Sequence, residues 1–309
     1  MSVFYSTIDL PKFKKPVLTI GSFDGVHEGH KVILRKLVDE AKNINGESVV
    51  ITFEPHPRKI LTPDKPIGLI SSLDDKISKI LEEGIDHIVV VPFSRDFSMM
   101  EADDYINSFL YGNFHPHTVI IGYDHRFGHN RSGDIIALKA LLPKTVKVIE
   151  IEEQLIHEAN VSSTKIRNAI LGGEMVLAQE MLGAPFSIEA TVVHGSKIGR
   201  TIGYPTANLK PSYSDILIPK IGIYAVLVTI GEETFKGMMS IGKRPTITED
   251  GDITIEVNIL DFDRDIYGLN IRVSFIEYIR GEEKLPGLEA LKDKIAEDEL
   301  NIRKVLNID

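Results

Sequence analysis

Short apolar runs alternate with amphipathic segments through the first half of the chain. The apolar runs occupy residues 17–20, 48–53, 87–91, 119–121 and 146–149. Between them, apolar side chains recur at helical spacing, as at Leu34, Leu37, Val38 and Ala41 and again at Leu73, Ile77, Ile80 and Leu81. Continuous apolar strands separated by amphipathic helices are typical of a parallel sheet with helices on both faces. The pattern therefore predicts an α/β domain with a doubly wound sheet.

The pattern changes near residue 184, where shorter runs of alternating residues begin. These runs lie at residues 188–193, 223–228, 253–260 and 271–275. Short alternating strands punctuated by turns indicate an antiparallel barrel or sandwich. The last segment, 288–306, returns to helical spacing. Because 309 residues are also long for a single core, we expect two domains, residues 1–183 and residues 184–309.

Composition narrows the possible functions. The formal charge of −10 argues against general binding to nucleic acid or to a membrane surface. The absence of cysteine excludes disulfides and thiolate metal sites, and it fits a reducing cytoplasm, where we expect the protein. We expect no signal peptide in residues 1–16, and no apolar run approaches the ~18 residues that span a bilayer. The sequence does not indicate an oligomeric state.

A glycine-rich turn, Gly-Ser-Phe-Asp-Gly-Val-His-Glu-Gly-His at residues 21–30, joins the first strand to the first helix. A helix N-terminus with free backbone amides is a favourable place for an anion. His27 and His30 are three positions apart and can face the same point, while Gly25 and Gly29 let the backbone approach a ligand. The turn predicts recognition of a nucleotide triphosphate. Two surface histidines are the alternative, and a zinc site is disfavoured because the zinc-protease motif has a different spacing.

A second polar cluster, Val-Ser-Ser-Thr-Lys-Ile-Arg, begins a helix at residues 161–167. A serine N-cap alone would explain part of it. The cluster also offers hydroxyl, backbone and cationic donors, which suit a pyrophosphate. These donors belong to Ser163, Thr164, Lys165 and Arg167. Loops 21–30, 53–57 and 122–131 all follow strands, and ligands of parallel sheets bind beyond the carboxyl ends of strands, so we expect a single site there.

The two motifs resemble the marks of the nucleotidylyltransferase superfamily, an HxGH turn and a later helix beginning Ser-Ser/Thr-Thr-x-x-Arg. The longer form of the turn, with Phe-Glu-Pro-His-Pro at 53–57 and Gly-Tyr-Asp-His-Arg-Phe-Gly at 122–128, resembles the prokaryotic bifunctional riboflavin kinase/FAD synthetase family. In the second half, Pro-Thr-Ala-Asn at 205–208 and the blocks at 237–246 and 255–263 are similar to the kinase signatures of that family. Residues 195–201 look like a P-loop, but they are one residue short and no helix follows.

The resemblance covers nearly the whole chain and implies a fold and a function. It implies a Rossmann-like nucleotidylyltransferase domain with a parallel sheet, followed by a riboflavin kinase-like antiparallel β-barrel with a terminal helix. It further implies riboflavin, FMN and ATP as small-molecule substrates, Mg²⁺ as a cofactor, and neither nucleic acid nor membrane as a partner.

In the first domain, the resemblance implies that the FMN phosphate attacks the α-phosphate of ATP and releases pyrophosphate. The residues implied to bind ATP are Gly21, Phe23, Asp24, His27, His30, Asp124, Ser163, Thr164 and Arg167. The residues implied to bind the flavin are Phe53, Pro55, Pro57 and Phe127, with Arg280 in the second domain.

In the second domain, the resemblance implies that Glu256 accepts the proton of the riboflavin 5′-hydroxyl as this attacks the γ-phosphate of ATP. Without the resemblance, Glu256 would be interpreted as part of the polar face of an exposed strand. The residues implied to bind ATP here are Gly195, Lys197, Gly199, Thr206 and Asn208, and Thr206 and Asn208 are also implied to hold Mg²⁺.

Five positions depart from the usual residues of the family. They are His125 for Phe, Lys165 for Arg, Ser240 for Asn, Asn258 for His and Leu285 for Phe. Two other functions remain as alternatives. One is an FMN adenylyltransferase whose barrel is a weak kinase or a flavin-binding regulatory module. The other is a nucleotidylyltransferase for a pantetheine or nicotinate phosphate, which the 205–208 block and Glu256 disfavour.

Overall fold

The computed structural model describes residues 1–151, 161–195, 199, 203–243, 253–283 and 285–307. Contacts divide the chain into two compact units. The first unit comprises Met1–Ile67 and Ser72–Ser163, and the second comprises Gly68–Ser71 and Thr164–Asp309. The domain boundary at residue 184 stays a prediction. Lys197, one of the residues expected to bind ATP, lies outside the described residues.

The first unit contains a six-stranded parallel sheet in the order β1-β4-β3-β2-β5-β6. Its strands are β1 (Ser2–Phe4), β2 (Val17–Ile20), β3 (Ser48–Glu54), β4 (His87–Pro92), β5 (Thr118–Gly122) and β6 (Lys147–Ile151). Its helices are α1 (Glu28–Asn43), α2 (Pro57–Leu61), α3 (Leu73–Glu82), α4 (Arg95–Ser98), α5 (Ala102–Asp104), a π-helical segment (Tyr105–Tyr111), α6 (Gly112–Phe114), a 3₁₀ turn (His129–Arg131) and α7 (Ile135–Leu141). The parallel sheet expected from the apolar runs is confirmed.

Both faces of the sheet are buried along its four central strands, which explains why β2, β3, β4 and β5 are largely apolar. Alternate residues of β3 point to opposite faces, so that Val49 and Ile51 belong to one cluster and Val50 to the other. The helical region 102–114 packs on the first face, whereas α1 and α3 pack on the second. The carboxyl ends of β2, β3 and β5 are thereby adjacent, because these strands are neighbours in the sheet.

The second unit contains a closed antiparallel barrel in the order β10-β11-β8-β7-β12-β9. Its strands are β7 (Ser187–Val193), β8 (Ala207–Pro211), β9 (Gly222–Ile230), β10 (Glu233–Lys243), β11 (Ile253–Ile259) and β12 (Asn270–Arg280). The remaining helices are α8 (Ser163–Gly172), α9 (Met175–Leu182) and α10 (Leu288–Val305). A closed barrel with a terminal helix is confirmed, and the sandwich is not.

The sequence pattern missed three strands. β1 has only three residues at the sheet edge, and β8 reads Ala-Asn-Leu-Lys-Pro, in which only Leu209 is buried. The centre of β10, Gly-Met-Met-Ser-Ile-Gly, lacks alternation of apolar and polar residues. Pairing with distant strands, rather than local pattern, places these segments in sheets.

Candidate active sites

The glycine-rich turn of the first unit brings its two histidines together. The His27 side chain caps α1, because its Nδ1 accepts a hydrogen bond from the backbone N–H of His30 at 3.3 Å. The two imidazole rings stack with centroids 3.7 Å apart and an interplanar angle of 14°. Val26 has a φ of 44°, which is a strained conformation for a β-branched residue, and Gly25 has a φ of 83°. The turn therefore holds backbone strain where the motif predicts phosphate binding.

Burial controls the charge of His30. The pKa of His30 lies well below its ordinary value, chiefly because of burial and then because of the nearby charges of His27 and Lys76. The Nδ1 atom of His30 is buried and has no hydrogen-bond partner in the described part of the chain. His30 is consequently a neutral imidazole at pH 7, able to donate one hydrogen bond and accept another.

The predicted flavin-binding residues of the first unit surround one cavity. Its volume is about 600 Å³, and Phe53, Pro57 and Phe127 line it together with Gly21. Pro55 is not among its lining residues. Three further aromatic residues that the sequence did not single out also line it, namely Phe93, Phe97 and Tyr105. The Tyr105 and Phe127 rings stack 4.8 Å apart, so the wall suits a large flat ring.

His125 lines the same cavity and is also uncharged. Burial lowers its pKa to about 4, and Arg131 acts in the same direction while Asp124 opposes it. The Nε2 atom of His125 is buried and has no partner among the described residues. Asp124, expected to bind ATP, is exposed in the turn after β5. The departure from Phe therefore places a neutral polar ring in an aromatic wall.

Ser163 is the member of the second motif that contacts the glycine-rich turn. Its hydroxyl donates a hydrogen bond to the backbone oxygen of Asp24 at 3.3 Å, and Asp24 itself is buried. Thr164 and Arg167 belong to the second unit, where Arg167 Nε donates to the Gly68 oxygen at 2.9 Å. Binding of pyrophosphate by Thr164 and Arg167 stays a prediction.

Sequence reasoning missed Lys76, which is 5% exposed on α3. Its Nζ donates hydrogen bonds to the backbone oxygens of Ser22 at 3.3 Å and Phe53 at 3.2 Å. The available signal was its position beside Ile77, on the face of α3 that carries the apolar residues. A charged residue on an apolar face indicates a buried partner but does not identify it.

In the second unit, the Thr206 hydroxyl donates a hydrogen bond to Glu256 Oε2 at 2.9 Å. Asn208 of β8 lies opposite Glu256 of β11 in the strand register. A side chain at Gly195 would overlap the Asn208 amide, and one at Gly199 would overlap the Tyr204 carbonyl. These two glycines therefore permit close approaches of the backbone at this site.

Two cavities meet at Thr206. The smaller, about 270 Å³, has Glu256, Ser240 and Arg280 in its wall, and the larger, about 560 Å³, is lined by His194 and Tyr267 among others. The His194 and Tyr267 rings lie 4.1 Å apart. Thr206 lines both cavities, so the hydroxyl that contacts Glu256 lies where two ligands would approach each other.

Two neighbouring polar residues are held by contacts that the sequence did not predict. Asp298 of α10 is 1% exposed and receives hydrogen bonds from Arg280 at 2.8 Å and 2.6 Å. This contact raises the pKa of Arg280. Asn258 Nδ2 donates to the Pro205 oxygen at 2.7 Å and so supports the turn before Thr206. Asp298 could have been found, since it shares a face of α10 with Leu291, Ile295 and Ile302.

The described residues contain no cluster of three or more histidine, aspartate or glutamate side chains that could bind a metal. Thr206, Asn208 and Glu256 do provide hydroxyl, amide and carboxylate oxygens at adjoining positions. Oxygen ligands of this kind suit Mg²⁺, which needs few protein ligands when phosphates supply the rest.

Comparison with known proteins agrees with both halves of the structure. A family model described as FAD synthetase matches residues 10–165, and one described as riboflavin kinase matches residues 182–306. A bifunctional riboflavin kinase/FMN adenylyltransferase from Listeria monocytogenes is 36% identical over 93% of this chain and 91% of its own. The protein of the same name from Escherichia coli K12 is 36% identical over 94% of this chain and 93% of its own.

A crystal structure of a macrolide-efflux protein from Streptococcus pneumoniae has the same fold, with a TM-score of 0.86, 31% identity and 98% of both chains covered. Its name refers to efflux, yet no described helix of this chain is both long and apolar enough to cross a membrane. The parallel sheet, the closed barrel and their cavities define a two-part nucleotide-dependent transferase. The chain belongs to the bifunctional riboflavin kinase/FMN adenylyltransferase family.

Proposed function

We propose that this chain catalyses two consecutive ATP-dependent reactions on a flavin. The barrel phosphorylates riboflavin to FMN, and the predicted domain of residues 1–183 joins FMN to the AMP part of ATP, forming FAD. The observation that carries the proposal is the hydrogen bond between Thr206 and Glu256 where two cavities meet. A barrel that only bound flavin would not need a carboxylate at that junction. We also propose that the enzyme works in the cytoplasm.

In the barrel, Glu256 accepts the proton of the riboflavin 5′-hydroxyl. The hydroxyl oxygen bonds to the γ-phosphorus of ATP as the bond to the β-phosphate oxygen breaks, so ADP leaves. A positioned base of this kind contributes ~10²–10⁴-fold to the rate. The Thr206 hydrogen bond fixes the orientation of the carboxylate. Riboflavin occupies the smaller cavity, beside Arg280, and ATP occupies the larger one. Gly195, Lys197 and Gly199 bind the ATP phosphates, and Gly199 does so from the wall of the smaller cavity.

Thr206 and Asn208 would hold Mg²⁺ in this site. When bound, the ion would offset the negative charge on the phosphoryl group in transfer. The residues themselves perform three tasks, which are to orient the carboxylate of Glu256, to bind the phosphates and to keep the two cavities joined at Thr206.

In the predicted domain of residues 1–183, a phosphate oxygen of FMN attacks the α-phosphorus of ATP, and pyrophosphate leaves. The attacking group is already an anion, so the reaction needs no side-chain base. The protein positions the two phosphates and stabilises charge. His27 and His30 donate hydrogen bonds to the phosphates of ATP, while Ser163, Thr164 and Arg167 bind the pyrophosphate. The ATP site is completed by Gly21, Phe23, Asp24 and Asp124.

The flavin ring of FMN occupies the 600 Å³ cavity of the first unit. Phe53 and Phe127 provide aromatic faces for it, and Pro57 provides an apolar edge. Pro55 acts through the loop that it shares with Pro57. This placement leaves the phosphate of FMN near Gly21, which both lines the cavity and begins the glycine-rich turn.

Replacement of Glu256 tests the proposal. The variant Glu256→Ala should lower FMN formation from riboflavin at least ~10²-fold, because it removes the base. It should leave conversion of FMN to FAD unchanged, because that reaction uses residues of the other site. The control is Glu277→Ala, which removes an exposed carboxylate from β12 of the same barrel and should leave both rates unchanged. Normal phosphorylation of riboflavin by Glu256→Ala would show that the base is assigned wrongly.

A further inference from the structure

The buried ammonium of Lys76 joins two segments of the first site. Ser22, one of its two acceptors, belongs to the turn after β2, and Phe53, the other, lies near the end of the neighbouring strand β3. Ser22 and Phe53 both line the 600 Å³ cavity, whereas Lys76 is not among its lining residues. Lys76 is therefore placed to act on the site through these two residues.

The helix that carries Lys76 does not explain its position. α3 begins after Ser72, whose hydroxyl accepts the backbone N–H of Asp75 at 3.1 Å, and Lys76 follows directly. The helix dipole disfavours a cation near a helix N-terminus, and burial disfavours any ammonium that lacks hydrogen bonds. The two backbone acceptors offset these costs. A lysine retained under such conditions indicates a task outside its own helix.

Charged groups face Lys76 from three other elements. Burial lowers the pKa of Lys76, while Glu54 at the end of β3 and Asp24 in the glycine-rich turn raise it. On α1, the positive charge of Lys76 adds to the effects of burial and of His27 in lowering the pKa of His30. The ammonium is thus part of the same electrostatic cluster as the predicted phosphate-binding residues.

We propose that Lys76 is a positioning residue of the adenylylation site, holding the turn that binds ATP and the strand end that contacts the flavin in one fixed arrangement. The inference rests on the proposed function of the first unit. In-line attack requires the FMN phosphate and the α-phosphate of ATP to be aligned, and a displacement of about 1 Å can cost ~10²-fold in rate. Lys76 also adds to the effects of burial and of His27 in keeping His30 neutral, and the orientation of the His30 ring is set by its stack on His27.

The test compares variants of the full-length protein in both reactions. Lys76→Met removes the charge and the donors, Lys76→Gln removes the charge and keeps a donor, and Lys76→Arg keeps the charge. We expect Lys76→Met to lower kcat for FAD formation about 10- to 100-fold, with the smaller effect for Lys76→Gln. Riboflavin phosphorylation should stay within about twofold of the parent value, which reports on the second unit. Denaturant unfolding followed by a probe in the first unit shows that this unit is folded in each variant. The control is Lys36→Met, which removes an exposed lysine from α1 and should change neither rate.

The pH dependence of FAD formation separates this role from simple packing. We expect FAD formation to fall on the acid side when His30 becomes protonated, because the charged ring would be repelled by Lys76 and by the stacked His27. The lowered pKa of His30 should then keep the enzyme active to lower pH. Both neutral variants should move the acid limb to higher pH, whereas Lys76→Arg should leave it in place. The inference would be overturned if Lys76→Gln formed FAD at the parent rate and the acid limb of its pH profile did not move. Failure of the parent protein to make FAD from FMN and ATP would instead overturn the proposed function.

Discussion

His125 illustrates how burial determines the charge of a side chain at the flavin cavity. Its pKa of about 4 in the folded protein lies below the usual value of 6.5, so the unfolded chain binds more protons between these two pH values. Stability therefore falls as the pH drops from 6.5 towards 4. This loss of stability arises because the folded state keeps the His125 ring neutral while the unfolded chain can protonate it.

The variant His125→Phe should reduce this pH dependence. Phenylalanine takes up no proton, so the free energy of unfolding of the first unit should decline less between pH 7 and pH 5 than in the parent protein. Denaturant unfolding at several pH values, followed by a probe in the first unit, measures the difference. Some decline should remain because His30 acts in the same direction. Equal slopes for the variant and the parent would contradict the description of His125 as a buried, neutral residue.

Individual residues of the candidate site could be predicted where a sequence motif identifies them. They could not be predicted where their position depends on a partner that is distant in the sequence. His27 and His30 could be placed together because the helix begins between them. Lys76 could not, because its acceptors lie 54 and 23 positions away in the sequence. Local spacing contains no information on such contacts, which depend on how strands are ordered in the sheet.

At the scale of elements, a buried ion pair joins α10 to the barrel beside an apolar cluster. Asp298 lies within the face of α10 that also carries Ile302, and its carboxylate receives two hydrogen bonds from Arg280 at the end of β12. The side chain of Arg280 is 16% exposed and that of Asp298 is 1% exposed. Removal of one partner from such a pair leaves an uncompensated buried charge.

The variant Asp298→Ala should destabilise the second unit by about 3 kcal/mol, as expected for breaking a buried ion pair. It should also raise KM for riboflavin, because Arg280 would lose its fixed orientation in the cavity wall. Denaturant unfolding and steady-state kinetics measure the two effects. Glu297→Ala is the control, since this neighbouring carboxylate is 60% exposed and its ion pair with Lys294 lies at the surface. A loss no greater than that of the control would contradict the assignment.

Elements were predicted well where burial follows a simple rule. The strands of the parallel sheet are buried on both faces and therefore form continuous apolar runs. The barrel strand β8 was missed because it is short and only Leu209 is buried in it, and β10 was missed because its centre lacks alternation of apolar and polar residues. Closure of the barrel depends on pairing between distant strands, which alternation alone does not specify. The sequence pattern therefore could not distinguish a barrel from a sandwich.

At the scale of the whole molecule, the two reactions are assigned to different parts of the chain. Among the described residues, those that line the flavin-sized cavity of the first unit all belong to that unit, and those that line the two barrel cavities all belong to the second. The product of the barrel reaction is the substrate of the other site. Riboflavin should therefore be converted to FAD by way of FMN in a single preparation.

The most direct test of this account is a chromatographic time course with the purified protein, ATP and Mg²⁺, begun in parallel from riboflavin and from FMN. The account predicts that riboflavin gives FMN first and FAD after a lag, whereas FMN gives FAD without a lag and releases one pyrophosphate for each FAD. Formation of FAD from FMN alone, with riboflavin unchanged, would contradict the kinase assignment at Glu256. Formation of FMN without any FAD would contradict the assignment of the first unit.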